Sequence, residues 1–324
     1  MTKISVIGAG AWGTAIATSI AHASNNVTIW ARELEVVDSI NKSHKNHVFL
    51  PDIALPAGVT ATANMDETAA SDIIYLVAPS QFLRPTCEQL LKAGLKKETP
   101  LVICSKGIER GTLKLMSEVV EEVLPNPIAI LTGPTFAAEV ARNLPVFVTL
   151  ACKNEQIAKE IAPTIESDYF KIRYSDDVIG AQIAGSVKNV IAIACGIVDG
   201  RELGENAKAA LIVGGMREIE KLCEAKGGQP ETIMRLCGIG DLILTCGSRQ
   251  SRNNSLGYEL GRGSTLEEIT KKRKTVAEGV ATSHSVTELA KKLGISMPIC
   301  QAVNKILHEG ANMSDVIEKL IQSY

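Results

Sequence analysis

Short apolar, β-branched runs recur through the first half of the chain, each followed by a polar or helix-patterned stretch. Runs at Ile4–Ile7, Val27–Trp30, Ile73–Val77, Leu101–Cys104, Ile128–Leu131, Val146–Ala151 and Phe170–Arg173 predict strands. Several are apolar at nearly every position, as strands covered on both faces of a parallel sheet should be. Helix-patterned stretches separate them. One is Thr112–Val123, which sets Leu113, Leu115, Met116, Val119 and Val120 on one side. Strands alternating with helices predict an α/β fold with a doubly wound parallel sheet. The last two runs follow Pro145 and read as a hairpin-like addition whose direction the pattern leaves open.

After Ser175-Asp176-Asp177 the alternation stops, and helical patterns continue to Asp315–Ser323. The pattern therefore predicts an α/β domain over 1–177 and an all-α domain over 178–324. The stretch Val178–Val198 is long enough to span a membrane, but Lys188 stands in its middle with Gln182, Ser186 and Asn189 around it. A central lysine costs about 2.5–3.5 kcal/mol on insertion scales. The expectation is a buried helix and no integral membrane segment.

Composition narrows the classes without choosing a chemistry. At about 150 residues per domain, 324 residues suit two domains. The 34 Lys and Arg nearly balance the 36 Asp and Glu, and aromatics are only 4%. Neither value suits a nucleic-acid binder, which usually carries a basic face or stacking aromatics. None of the eight cysteines forms a C-x-x-C pair, which excludes a zinc ribbon and a thioredoxin-type motif. His44-x-x-His47 has no further His or Cys nearby in sequence, so no metal site is expected. The opening strand and Gly8 leave no room for a signal peptide's apolar segment. Reduced thiols then fit a cytoplasmic location.

The motif Gly8-Ala9-Gly10-Ala11-Trp12-Gly13 directly follows the first strand and opens an Ala-rich helix. The first glycine allows the tight turn, the second lets backbone approach a pyrophosphate, and the third permits close helix packing. The helix N-terminus offers free N–H groups to the phosphates. This predicts a Rossmann-type dinucleotide-binding domain. Strand two ends Ile29-Trp30-Ala31-Arg32, with no acid where an unmodified adenine ribose would want one. Arg32 suits a 2′-phosphate because guanidinium pairs bidentately with phosphate. Glu33 follows immediately and complicates the choice, so NADPH is favoured and NADH remains open.

Ligands of open α/β sheets bind beyond the carboxyl ends of the strands. There the chain carries Ser105-Lys106-Gly107 and Thr132-Gly133-Pro134-Thr135-Phe136. Lys188 has only Ala184, Gly185, Ile191 and Ala192 as helical neighbours, so its ammonium is either buried or faces a cleft. Desolvation lowers a lysine's pKa toward the range useful for proton transfer. Gly238-Ile239-Gly240-Asp241 and Arg249-Gln250-Ser251-Arg252-Asn253-Asn254 add the donor inventory that a phosphate ester calls for.

Six motifs in order carry a resemblance over essentially the whole chain. They are Gly8 with Trp12-Gly13, Cys104-Ser105-Lys106-Gly107, Gly133-Pro134-Thr135-Phe136-Ala137, Ser186-Val187-Lys188-Asn189, Gly240-Asp241 and Ser251-Arg252-Asn253. In these the chain resembles the bacterial NAD(P)-dependent glycerol-3-phosphate dehydrogenase family. The resemblance implies a Rossmann domain followed by a helical domain, Lys188 as the proton-transfer residue, and dihydroxyacetone phosphate as the substrate. It implies substrate contacts from Lys106, Gly133, Thr135, Lys188, Asp241, Ser251, Arg252 and Asn253. It implies cofactor contacts from Gly8, Gly10, Ala11, Trp12, Gly13, Arg32, Lys106, Ala137, Arg252, Val276 and Glu278. A role in glycerophospholipid synthesis and a homodimer are implied as well. Ala11 and Thr135 stand where the family commonly has Ser, and Phe49 stands in place of a tyrosine and is not carried over. Two other readings are a two-domain dehydrogenase for a hydroxyacid or sugar acid, and an NAD(P)H sensor without turnover. The isolated Lys188 argues against the sensor.

Overall fold

The computed structural model describes residues 2–23, 25–272 and 277–322. The chain divides into two compact units, one of residues 1–105 and 116–178 and the other of residues 106–115 and 179–324. The segment Lys106–Leu115 thus belongs to the second unit, an assignment that a single boundary near 177 does not make.

The first unit contains β1 (Ile4–Ile7), β2 (Val27–Trp30), β3 (Lys45–Asn46), β4 (Leu50–Ala54), β5 (Val59–Thr62), β6 (Ile73–Leu76), β7 (Leu101–Ile103), β8 (Ile128–Thr132), β9 (Val146–Ala151) and β10 (Phe170–Ser175). Its helices are α1 (Ala11–His22), α2 (Leu34–Ser43), α3 (Met65–Ala69), α4 (Leu83–Lys92), α5 (Met116–Val123), α6 (Ala137–Ala141) and α7 (Glu155–Ile161). Eight strands form one sheet in the order β10-β9-β8-β7-β6-β1-β2-β5, and β3 pairs with β4 in a separate ribbon. From β8 to β5 every pairing in the sheet is parallel. Strand order reverses between β1 and β6, which makes their carboxyl ends the ligand-binding edge of such a sheet. Strands β1 and β6 are buried at every position, which explains their unbroken apolar runs.

The structure corrects two expectations here. β9 runs antiparallel to β8, but β10 runs parallel to β9, so the last two strands are joined through α7 and form no hairpin. The helix expected over Thr112–Val123 begins only at Met116. Before it, Leu113 takes a left-handed φ of 61° and Leu115 bridges to Ile108, both incompatible with a helical start.

The second unit is helical: α8 (Val178–Gly200), α9 (Glu205–Ala225), α10 (Pro230–Ile233), α11 (Asp241–Gly247), α12 (Arg252–Gly261), α13 (Leu266–Lys272), α14 (Glu278–Leu293), α15 (Pro298–His308) and α16 (Met313–Gln322). Among the described residues, α8 is the one helix long and apolar enough to cross a membrane, and it is almost wholly buried as the core of this unit. Glycines let its neighbours approach closely. A Cβ at Gly196 would lie 2.1 Å from the Asn254 carbonyl oxygen, and one at Gly257 would lie 2.0 Å from that of Ile193. This contact holds α12 against α8. All eight cysteines are buried.

Candidate active site

The glycine loop of the first unit is shaped by backbone contact. Gly8 has φ +115°, and a Cβ there would sit 2.9 Å from the Val77 carbonyl oxygen. A Cβ on Gly13 would fall 1.8 Å from the Gly8 carbonyl oxygen, so no other residue fits at that position. At Gly10, by contrast, the space is open, leaving backbone exposed to a ligand. The Gly8 N–H donates to the Trp30 carbonyl at 3.1 Å, tying the loop to the end of β2. Asn46 completes the loop: fully buried, it donates to the Ala9 carbonyl and the Thr14 hydroxyl, both at 2.8 Å. Sequence reasoning missed Asn46, because nothing local marks a residue whose partners lie more than thirty positions away in the chain.

This cradle fits a dinucleotide. Two glycines are required by packing, a third leaves open space, and the buried Trp12 Nε1 has no protein partner. Ala11, Trp12 and Ala137 are half-buried against the same core cluster. Arg32 projects from the end of β2 and is well exposed. Its Nε and Nη2 donate to Glu33 Oε1 at 3.1 and 2.8 Å. At the end of β8, a Cβ on Gly133 would meet the Val148 Cα at 3.0 Å. Thr135 donates to the Gly133 carbonyl at 3.3 Å, and the buried Thr132 hydroxyl has no partner.

The second unit gathers four polar side chains in its core. Asp241 is fully buried and opens α11 directly after a π-helical turn, Leu236–Gly240. Such turns often mark functional positions. Lys188 Nζ donates to Asp241 Oδ1 and, at 2.9 Å, to the Thr245 hydroxyl. Lys106 Nζ donates to Asp241 Oδ2 at 2.8 Å. Lys106 is anchored to this unit through the next residue, since the Ser186 hydroxyl of α8 lies 3.1 Å from the Gly107 carbonyl. One carboxylate therefore serves two ammonium groups, and with both protonated the cluster carries a net positive charge, with Lys188 and Asp241 buried and Lys106 partly exposed. Burial pulls the Lys188 pKa down to about 8; Asp241 opposes this, and Lys106 reinforces it. Thr245 was not foreseen. Its spacing from Asp241, one helical turn later, gains meaning only once Lys188 is seen between them.

Beside this cluster Asn253 donates to Asn189 Oδ1 at 2.9 Å and accepts from the Gly279 N–H at 3.0 Å. The Ser251 hydroxyl accepts from the Asn254 N–H at 3.2 Å and caps α12, and Arg252 follows as its first residue. Burial lowers the Arg252 pKa, opposed by the charge of Glu278. Lys106, Lys188 and Asp241 thus meet directly, and Ser251, Arg252, Asn253 and Glu278 share one neighbourhood around the start of α12. Gly8, Gly10, Ala11, Trp12, Gly13, Arg32, Gly133, Thr135 and Ala137 all lie in the first unit. Val276 lies outside the described residues. His44 and His47 serve locally, the first as the left-handed cap of α2 and the second beside the Ser43 hydroxyl at 3.3 Å.

A Rossmann-type sheet with a dinucleotide cradle, joined in one chain to a helical unit holding a lysine of lowered pKa, defines a dinucleotide-dependent dehydrogenase. Comparison with known proteins specifies which kind. Residues 3–158 match the family model for the NAD-dependent glycerol-3-phosphate dehydrogenase N-terminus, and residues 177–318 match that for the C-terminus. The chain belongs to the NAD-dependent glycerol-3-phosphate dehydrogenase family. Among its relatives is a glycerol-3-phosphate dehydrogenase (NAD(P)+) of Caulobacter vibrioides, 52% identical over 309 residues that cover 94% of this chain and 92% of the relative. One from Parvibaculum lavamentivorans is 47% identical over 320 residues, covering 98% and 96%. The crystal structure of glycerol-3-phosphate dehydrogenase from Coxiella burnetii superposes with a TM-score of 0.95 at 35% identity, covering 99% of this chain and 98% of that one.

Proposed function

We propose that the protein reduces dihydroxyacetone phosphate to sn-glycerol 3-phosphate with NADPH or NADH, with Lys188 as the proton donor. The observation that carries this reading is the Lys106–Asp241–Lys188 cluster. Its excess positive charge, centred on the buried Lys188, suits the negative charge that develops on a carbonyl oxygen during hydride addition. The glycine loop with Trp12, Arg32 and Ala137 would hold the dinucleotide, and the bound nicotinamide supplies the hydride.

As the C–H bond forms at the carbonyl carbon, the C=O π pair moves to oxygen, and the Lys188 ammonium gives that oxygen its proton. The neutral amine left behind is reprotonated from solvent; in the reverse direction it acts as the base. A pKa near 8 suits both directions at neutral pH. Asp241 and Thr245 orient the ammonium, and Lys106 adds positive field. Ser251, Arg252 and Asn253 would receive the phosphate, where a guanidinium and a helix N-terminus favour an anion. Gly133, Thr135 and the segment at Val276–Glu278 are proposed to complete the ligand contacts. The family resemblance further supports a cytoplasmic homodimer supplying glycerophospholipid synthesis. Purified protein should oxidise NADPH or NADH when given dihydroxyacetone phosphate; absence of turnover with both would refute the reading.

A further inference from the structure

At the end of β2 two opposite charges stand side by side, and they answer opposite features of a dinucleotide. An acid about 20 residues past the glycine loop accepts from the ribose 2′-OH of NAD, whereas an arginine there accommodates the 2′-phosphate of NADP. This chain has both, at Arg32 and Glu33. Glu33 is the N-cap residue of α2, yet its side chain makes no capping bond. It turns instead to the guanidinium and takes two of its N–H donors on one oxygen. The Gly8 N–H bond to the Trp30 carbonyl keeps this pair near the loop that the pyrophosphate would occupy.

We propose that Glu33 is a specificity-determining residue that holds the protein between the two nicotinamide cofactors. A 2′-phosphate must share the Arg32 guanidinium, two of whose five N–H donors Glu33 already holds, and tolerate the carboxylate beside it. An unmodified ribose leaves the ion pair intact and offers its hydroxyl to the free Glu33 oxygen. The pair thus weakens NADPH and supports NADH, so that neither excludes the other. This inference rests on the dinucleotide reading of the glycine loop.

The test is fluorescence titration of NADPH and of NADH into the full-length protein, its Glu33→Gln variant and its Arg32→Ala variant. Both positions are at the surface, and binding is read without turnover. An exposed ion pair is modest, so Glu33→Gln should bind NADPH about threefold tighter and NADH about threefold weaker, moving the Kd ratio about tenfold. Arg32→Ala should move the ratio the other way. If both cofactors bind all three proteins and Glu33→Gln leaves the ratio within about twofold, the proposal is overturned and the dinucleotide reading stands. If the unaltered protein binds neither cofactor, both fall.

Discussion

Lys188 and Asp241 form a buried pair in which the carboxylate is shared: one oxygen takes the Lys188 ammonium and the other takes Lys106. Taking ions out of water is expensive unless each is paired and further bonded. Asp241 meets that condition through both oxygens, while Lys188 has Thr245 as its second acceptor. Burial, reinforced by a second cation at Lys106, makes Lys188 the group whose proton is loosely held.

This makes the pH dependence asymmetric between directions. Reduction needs the Lys188 ammonium and should lose rate as pH rises through about 8. Oxidation needs the amine and should gain rate over the same range. Asp241 opposes the lowering, so Asp241→Asn should carry the transition to lower pH in both directions. Profiles of kcat against pH for the two proteins check this; an unmoved transition would separate Asp241 from Lys188.

Thr245 should matter through Lys188, from which its hydroxyl accepts at 2.9 Å while donating to Asp241 at 3.3 Å. A hydrogen bond to a charged group contributes about 1.5–3 kcal/mol, so Thr245→Val should lower kcat at least about tenfold. The KM for the dinucleotide should stay unchanged. Thr245→Ser, which keeps the hydroxyl, should restore most of the rate.

What the sequence made legible follows the range of the physics involved. Strands β1, β6, β7, β8 and β9 were readable because their apolar runs announce burial, and β2 and β10 from β-branched or aromatic residues at alternate positions. Strands β3, β4 and β5 were not: β3 has only two residues, and β4 and β5 mix exposed with buried positions. The left-handed Leu113 lay inside an apolar spacing that looked helical, and only its tertiary setting overrides that pattern. In the site, Lys188 stood out because a charge on a bare helical face has few explanations. Asp241 was marked mainly by its motif and the family resemblance. Thr245 and Asn46 act through partners distant in the chain, which no local window contains.

Gly196 tests how the proposed phosphate-receiving end is held. A Cβ there would collide with the Asn254 carbonyl at 2.1 Å and push α12, with Arg252 and Asn253, away from α8. Overpacking of this kind costs about 1–3 kcal/mol. Gly196→Ala should therefore lower the urea midpoint and raise the KM for dihydroxyacetone phosphate.

Glu218 is buried and unrelated to the chemistry. Its carboxyl accepts from the Ile299 and Cys300 N–H groups at 2.6 and 3.1 Å, closing the start of α15. Glu218→Ala strands both donors and should destabilise the protein by about 2–4 kcal/mol in urea. Burial raises the Glu218 pKa above the ordinary 4.5, so the folded chain holds this proton more tightly than the unfolded one. Its contribution to stability therefore declines as pH rises past 4.5. Glu218→Gln should remove that slope from unfolding curves measured across this range.

The central claim is that Lys188 delivers the proton, and single-turnover reduction of dihydroxyacetone phosphate by bound NADPH tests it most directly. A positioned general acid contributes about 10²- to 10⁴-fold. Lys188→Ala should accordingly oxidise its bound cofactor about a thousandfold more slowly, with the Kd for NADPH unchanged. A variant rate within about threefold of the unaltered protein would contradict the account.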